Sequence, residues 1–264
     1  MTPDELLHDP TCLVVCNHSG GKDSQAMYLL LRELVPDPAR LVVIHAHLPE
    51  VEWPGTFEHI EATVDHELHE VRARKTFFEM VEHRGRFPSP ANRQCTSDLK
   101  RGPIQKQIRR LCSQGGYTKV LNCMGLRAEE SSARAKKQIF RLNASQSCHK
   151  RVERTWYEWL PIHELTTSTV FAMIRSAGQQ PHWAYAEGMS RLSCCFCIMS
   201  SAADICTASR LRPELFERYV ATEKRLGFSL LMPGKDGAPR YLDRVVEDHE
   251  NEEQAAAQLE LFAV

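Results

Sequence analysis

The chain has almost no net charge: across 264 residues, 33 lysines and arginines face 34 aspartates and glutamates, a formal −1. That balance excludes a whole-molecule field that would draw it to nucleic acid or a membrane surface, so any such preference must come from a local patch. An apolar run of about 18 residues is also missing, which excludes a membrane-spanning helix of the ordinary kind. The opening Met1-Thr2-Pro3-Asp4-Glu5 lacks the basic start of a secretion signal, and no internal repeat is visible. The expected compartment is the cytoplasm, with no membrane association. Ten cysteines in such a chain are read as reduced thiols, some buried and some ligating or reactive, not as a disulfide framework.

What is present starts with residues 13 to 24. Leu13 to Val15 is an apolar run of strand type, Ser19-Gly20-Gly21 a turn without bulky side chains, and from Ser24 the apolar residues recur as on one face of a helix. A strand that ends in a small-residue turn and opens a helix is an anion site, because free backbone N–H groups and the positive helix end point at the same spot. Lys22 adds a charge, Ser19 and Ser24 hydroxyl donors; the expected guest is phosphate. The spacing is not that of the Walker loop, which needs four residues between its first glycine and Gly-Lys-Ser/Thr. An ordinary glycine turn is the plainer reading of the same residues.

Residues 1–12 read as a polar leader. Val35-Pro36-Asp37-Pro38 stops the first helix, and Leu41 to Ala46 is a second strand, so strand–helix–strand implies a right-handed parallel crossover. Ligands in such sheets sit beyond the carboxyl ends of the strands, here the 17–24 loop and His45-Ala46-His47-Leu48-Pro49. His45 and His47 alternate on a strand without a third ligand nearby, which favours a wall for an adenine over a metal. Thr56 to His69 has helical periodicity, and 69–73 is a candidate third strand. Glu79, Glu82 and His83 read as a solvated helix face, Phe87 to Pro90 as a loop. Cys95 lies among Arg93, Lys100 and Arg101, cations that favour a thiolate; the alternative is a half-buried structural cysteine capped by Thr96 and Ser97.

Lys119 to Met124 is a further strand, running into Gly125 and then Arg127 and Arg134, whose planar forks are candidates to clamp pyrophosphate oxygens. From Gly125 to Arg154 eight basic residues (Arg127, Arg134, Lys136, Lys137, Arg141, Lys150, Arg151, Arg154) oppose Glu129, Glu130 and Glu153, a surplus of five. Such a patch suits a phosphate-bearing partner such as a nucleic-acid backbone, or is a solvated loop. Trp156 to Ile162 reads as extended, Thr166 to Ala177 and Pro213 to Leu226 as helices, the latter as the last packed one. Cys194 and Cys197 have the spacing that lets two sulfurs reach one metal or cluster, with Cys195 beside them and Cys206 nine residues on. Asp243 to Glu260 is acidic apart from Arg244 and is expected to be a loosely held tail.

Together these blocks resemble the phosphoadenosine-phosphosulfate reductase-like branch of the PP-loop ATP pyrophosphatase superfamily. The residues that carry it are Ser19–Ser24, Cys95-Thr96 with Leu99-Lys100 and Pro103, Gly125 and Arg127 with Glu130-Ser131 and Arg134, Leu160–Thr166, and Ser190-Arg191 with Cys194 and Cys197. The resemblance spans roughly residues 12 to 228. It implies an α/β fold, a parallel twisted sheet with helices on both faces (adenine nucleotide alpha hydrolase-like). Residues 1–178 would form the nucleotide-binding domain and 179–264 a smaller helical, cysteine-bearing part.

The resemblance further implies ATP with Mg²⁺, bound by Ser19, Gly20, Gly21, Lys22, Asp23, Ser24, His47, Leu48, Lys100, Gly125, Arg127, Arg134 and Arg191. Lys22, Asp23, Arg127 and Cys95 are the expected catalytic residues. Cys95, Cys194, Cys197 and Cys206 would hold a [4Fe-4S] cluster or, alternatively, zinc, with Cys195 competing as fourth ligand. Reductases of this branch carry a catalytic tail cysteine, whereas this sequence has none after Cys206. In function the nearest likeness is therefore to the ATP pyrophosphatase of bacterial DNA phosphorothioation (the DndC/SspD type). That likeness implies a cysteine desulfurase as sulfur donor, DNA or a DNA-modifying complex as partner, and a homodimer as one possible state. A sulfonucleotide reductase, a tRNA thiolation enzyme and a non-catalytic nucleotide-binding module are the alternatives.

Overall fold

A computed structural model describes residues 1–148, 152–234 and 237–262. The chain divides into two compact units, each built from separated stretches: residues 1–47, 55–73 and 100–182, and residues 48–54, 74–99 and 183–264. Segments 48–54 and 74–99 thus group with the C-terminal stretch, whereas the sequence suggested a single cut after residue 178.

The first unit holds a six-stranded sheet. Its strands are β1 (Cys12–Asn17), β2 (Leu41–Ala46), β3 (Leu68–Val71), β4 (Lys119–Met124), β5 (Phe140–Leu142) and β6 (Thr155–Trp159), ordered β3-β2-β1-β4-β6-β5. All neighbours are parallel except β5, which runs antiparallel to β6 at the edge. The helices of this unit are α1 (Pro3–His8), α2 (Lys22–Leu34), α3 (Thr56–Thr63), α5 (Gly102–Gly115), α6 (Ser132–Ala135) and α7 (Thr167–Ser176); α4 (Phe77–Arg84) belongs to the second unit.

Strand alternation sorts the core into two layers. Cys12, Val14 and Cys16 of β1 pack with α1, α2 and α7 through Leu7, Met27, Leu31, Val170 and Ile174. Leu13 and Val15 face the other way, with Ile108 and Cys112 of α5, Val120 and Trp156. Helices therefore cover both faces of the sheet, as expected of an α/β fold with parallel strands.

Several local expectations change. The leader is a helix, α1, because Thr2 and Glu5 form a reciprocal capping box and Leu6 and Leu7 are buried. The helix expected over 56–69 stops at Thr63, where the chain turns extended at Val64 and the Asp65 N–H is taken by the Tyr28 hydroxyl. After Gly125 the chain makes only a short 3₁₀ turn, Ala128–Glu130, and the four-residue α6.

In the second unit α4 is joined by α8 (Ala202–Leu211), α9 (Pro213–Leu226) and α10 (Leu242–Phe262). Phe77, Phe78, Phe87 and Phe196 surround the ring of Tyr219 on α9 at centroid distances of 4.9–6.0 Å. The acidic stretch expected to be a loose tail is the helix α10. Its start is packed, with Leu242 and Val245 buried. The carboxylate of Glu223 on α9 accepts from the backbone N–H groups of Leu230 (2.6 Å) and Leu242 (2.9 Å), fastening the intervening loop and the helix start.

Candidate functional site

In the order β3-β2-β1-β4-β6-β5 the chain leaves β1 toward β2 on one side and later adds β4 on the other, so the order reverses between β1 and β4. Open sheets bind ligands at such a point, beyond the carboxyl ends of the strands. The two segments that leave it are His18–Ser24 after β1 and Gly125–Glu130 after β4.

The first segment is tightly organised. Gly20 sits at φ +79°, the left-handed region that glycine tolerates without strain. The Ser19 N–H donates to the Ser24 hydroxyl (3.1 Å), which itself donates to the Gly21 carbonyl (2.9 Å). Helix α2 starts at Lys22 with Gly21 as its N-cap, and no side chain caps it. An uncapped helix start presents N–H groups and the positive end of the helix dipole to an anion. Gly125 explains itself here: a Cβ on it would meet the Asp23 carbonyl carbon and oxygen at 3.1 Å and the Ser24 nitrogen at 3.2 Å. The exit of β4 thus runs against the first turn of α2 with no room for a side chain.

The charged residues form a network. Asp23 accepts from Lys22 Nζ (3.0 Å) and from Arg127 Nε (2.5 Å). Arg127, only 2% exposed, also donates to Glu129 (2.6 Å), the Leu165 carbonyl (3.1 Å) and the Thr167 hydroxyl (3.0 Å). Burial pulls its pKa down, but Asp23 and Glu129 more than offset this and the net shift is upward. Four of its N–H groups are thus held by protein acceptors. Arg127, expected to grip pyrophosphate, thus also ties the start of α2, the β4 exit and the start of α7 together. Arg134 pairs with Glu130.

Of the remaining nucleotide candidates in the first unit, His47 bonds to Glu70 (2.7 Å) and stacks on Phe57 with rings 5.9 Å apart and 12° from parallel. Lys100 is half-buried. Leu48 (buried) and Arg191 belong to the second unit.

Part of the basic patch is paired. Arg127 and Arg134 are paired as above, Arg141 pairs with Glu158 of the neighbouring strand, and Arg154 is buried. Lys136 and Lys137 are exposed, while Lys150 and Arg151 lie outside the described residues. Glu129 and Glu130 are already counted in the surplus of five, so the further carboxylates Asp23 and Glu158 lower it to three.

The cysteines expected at one centre all fall in the second unit. Cys95 opens a π-helical run, Cys95–Arg101. Tyr219 is fully buried; its hydroxyl is pushed well up by burial and further by the thiols of Cys194, Cys195, Cys197 and Cys95, which puts those four in one neighbourhood. Cys195 points inward: its thiol is pushed to about 12 by burial, and Arg212 lies 3.7 Å from its sulfur. Cys206 is buried, its sulfur 4.0 Å from a Glu250 carboxylate oxygen, and is not among the thiols that act on Tyr219. Among the described residues, no three His, Cys, Asp or Glu side chains are gathered to hold a metal ion.

His18 is the residue that the sequence presented without revealing a role. It lies beside the loop glycines, and the Gly20 N–H donates to its Nδ1 at 3.1 Å. The available signal was an acceptor side chain two residues before a turn glycine.

No described helix is long and apolar enough to cross a membrane. The chain is 29% identical over 177 residues, 65% of its length, to an uncharacterised 37.8 kDa protein of Escherichia phage 186, covering 51% of that protein. It spans about half the length of the curated relatives it matches. Among solved structures, a phosphoadenylyl-sulfate reductase from Candida auris in complex with phosphate is similar at 13% identity and TM-score 0.43, over 74% of this chain and 88% of that one. The U34-tRNA thiolase NcsA of Methanococcus maripaludis, with its [4Fe-4S] cluster, is similar at 13% identity and TM-score 0.40, over 84% and 71%. The phosphoadenosine phosphosulfate reductase domain matches residues 13–200, most of the chain, which therefore belongs to that family.

Proposed function

We propose that the chain is an ATP pyrophosphatase that cleaves between the α- and β-phosphates, adenylylating an acceptor for sulfur incorporation. The observation that carries this reading is the 19–24 loop. It joins an uncapped helix start, a lysine and two serine hydroxyls at the carboxyl end of β1, where the strand order reverses. Cleavage at the α–β bond expels pyrophosphate, and a site rich in N–H donors with a buried lysine stabilises the charge that develops on it. Lys22 and Ser24 are assigned to the departing phosphates. Asp23, held by Arg127, is assigned to keeping Lys22 in place, and Mg²⁺ would accompany the nucleotide.

An acceptor oxygen attacks the α-phosphorus and pyrophosphate leaves; the terminal sulfur of a Cys95 persulfide then displaces AMP, and an external thiol reductant attacks the Cys95 sulfur, releasing the thiophosphate and leaving a mixed disulfide that a second thiol reduces. A cysteine desulfurase is the proposed sulfur source and the DNA backbone the proposed acceptor. Cys95 is proposed as the receiving thiol.

The test is release of labelled pyrophosphate from γ-labelled ATP with Mg²⁺. Lys22→Ala and Ser24→Ala are each expected to lower the rate by about 100-fold, the scale of losing one donor that stabilises developing charge. Undiminished release in both variants removes the site assignment. Mass spectrometry of DNA and tRNA from cells with and without the gene identifies the acceptor; a phosphorothioate linkage in DNA is expected.

A further inference from the structure

We propose that His18 is a positioning residue of the 19–24 loop, its bare Nδ1 holding the Gly20 N–H inward and so fixing the turn on which nucleotide binding depends. The inference rests on the reading of that loop as the nucleotide site.

His18 is held at three points. Its N–H donates to the Ile44 carbonyl (2.9 Å), continuing the β1–β2 ladder past the end of the strand. Its own carbonyl accepts from His45 Nδ1 (2.9 Å). Its Nδ1 accepts from the Gly20 N–H (3.1 Å). The ring is 3% exposed and meets Tyr28 edge-on, with centroids 6.5 Å apart.

A backbone N–H can only donate, so Nδ1 carries no proton and the neutral ring keeps its hydrogen on Nε2. Burial, with His45 and His59 close by, presses the His18 pKa down to about 3, so the acceptor survives at every ordinary pH. A side-chain acceptor that takes the N–H two residues on is the geometry an asparagine or aspartate makes in an Asx-turn. Here it closes the turn that carries Gly20 at φ +79°. With Gly20 N–H turned onto His18 and Ser19 N–H onto Ser24, an anion is met by the first turn of α2 instead. The loop is shaped before any ligand arrives, and such preorganisation lowers the cost of binding.

The chemistry dictates the variants. His18→Phe keeps the ring and its packing but has no acceptor; His18→Asn loses the ring and keeps the acceptor. His18→Phe is expected to raise the KM for ATP about tenfold, the scale of one lost hydrogen bond in a buried turn. His18→Asn is expected to stay within about threefold of the parent. A ring that merely fills space predicts the opposite order, and that order would overturn the proposal.

Two measurements without nucleotide separate this inference from the pyrophosphatase reading. Imidazole ¹⁵N resonances of the parent protein should show the Nε2–H tautomer at His18; an Nδ1–H tautomer refutes the proposal whatever the protein does with ATP. The Gly20 amide should exchange slowly in the parent and in His18→Asn and quickly in His18→Phe; equal rates in all three also refute it. If these two hold and no pyrophosphate is released by the parent, the reaction assignment falls while the loop-holding role of His18 stands.

Discussion

Arg127 places a full positive charge where 2% of the side chain reaches solvent, and Asp23 stands against it at 2.5 Å. Removing one partner of a buried pair leaves the other charge without compensation, a loss of about 3–5 kcal/mol. Arg127→Met is accordingly expected to lower the urea midpoint by an amount equivalent to about 3 kcal/mol. Arg127→Lys should recover less than half of it, because a single ammonium cannot serve Asp23, Glu129 and Thr167 at once. An unchanged midpoint in the methionine variant would show that Asp23 relaxes to Lys22 alone. At this scale the form of the loop was legible in the sequence, since glycines between an apolar run and a helical period already specify a turn that opens a helix. The partners of the charges were not. Arg127 and Asp23 are separated along the chain by 104 residues and meet only through the fold, so part of what a count of arginines read as a phosphate patch is an internal network. Arg141 shows the same error more simply, because Glu158 lies outside the window in which charge was summed.

At the scale of elements, boundaries followed local chemistry where one residue decided them. Val35 and the two prolines after it end α2, and β2 and β4 have the limits their apolar runs predict. Helix α10 was missed because its stabilisation is tertiary: an acidic sequence with few apolar residues forms a helix when Leu242 and Val245 are buried and Glu223 receives its first N–H. The contact between β4 and α2 was likewise invisible, although Gly125 marks it. Gly125→Ala would set a methyl group 3.1–3.2 Å from backbone atoms of Asp23 and Ser24, where no flexible side chain can yield. The first turn of α2 must move by a few tenths of an ångström. About 1–3 kcal/mol of stability is expected to go, the ordinary result of overpacking. Nucleotide affinity should fall by roughly tenfold beyond that, because the displaced N–H groups are those assigned to the anion. Equal affinity in Gly125→Ala and parent, measured by calorimetry, would detach the β4 exit from the site.

At the scale of the whole molecule, the two units carry opposite responses to acid. In the first, His18 is held near 3 and His182 near 4, both by burial with a neighbouring histidine adding to it, and burial also lowers His59 and His66. A histidine whose folded pKa is depressed binds fewer protons folded than unfolded, so its contribution is present above about 6.5 and is lost as pH falls toward the folded value. In the second unit Glu223 is raised to about 7, mainly by burial, against the pull of two backbone donors. A carboxyl with a raised folded pKa holds its proton more tightly when folded. It therefore adds stability below about 4.5 and loses it as pH climbs through 7. At about 1.4 kcal/mol per unit of pKa, His18 and His182 together withdraw several kcal/mol from the first unit between pH 6.5 and 4. Over nearly the same interval Glu223 adds about 3 kcal/mol to the second. Hydrogen exchange at pH 7 and pH 4.5, corrected for intrinsic rates, should show β1 and β2 losing protection while α9 keeps or gains it. In Glu223→Gln the carboxamide titrates no proton and turns an N–H toward one of the two backbone donors, so the gain at α9 should vanish. A loss of protection on acidification that is uniform across β1, β2 and α9 would mean that the buried histidines and Glu223 do not govern the response.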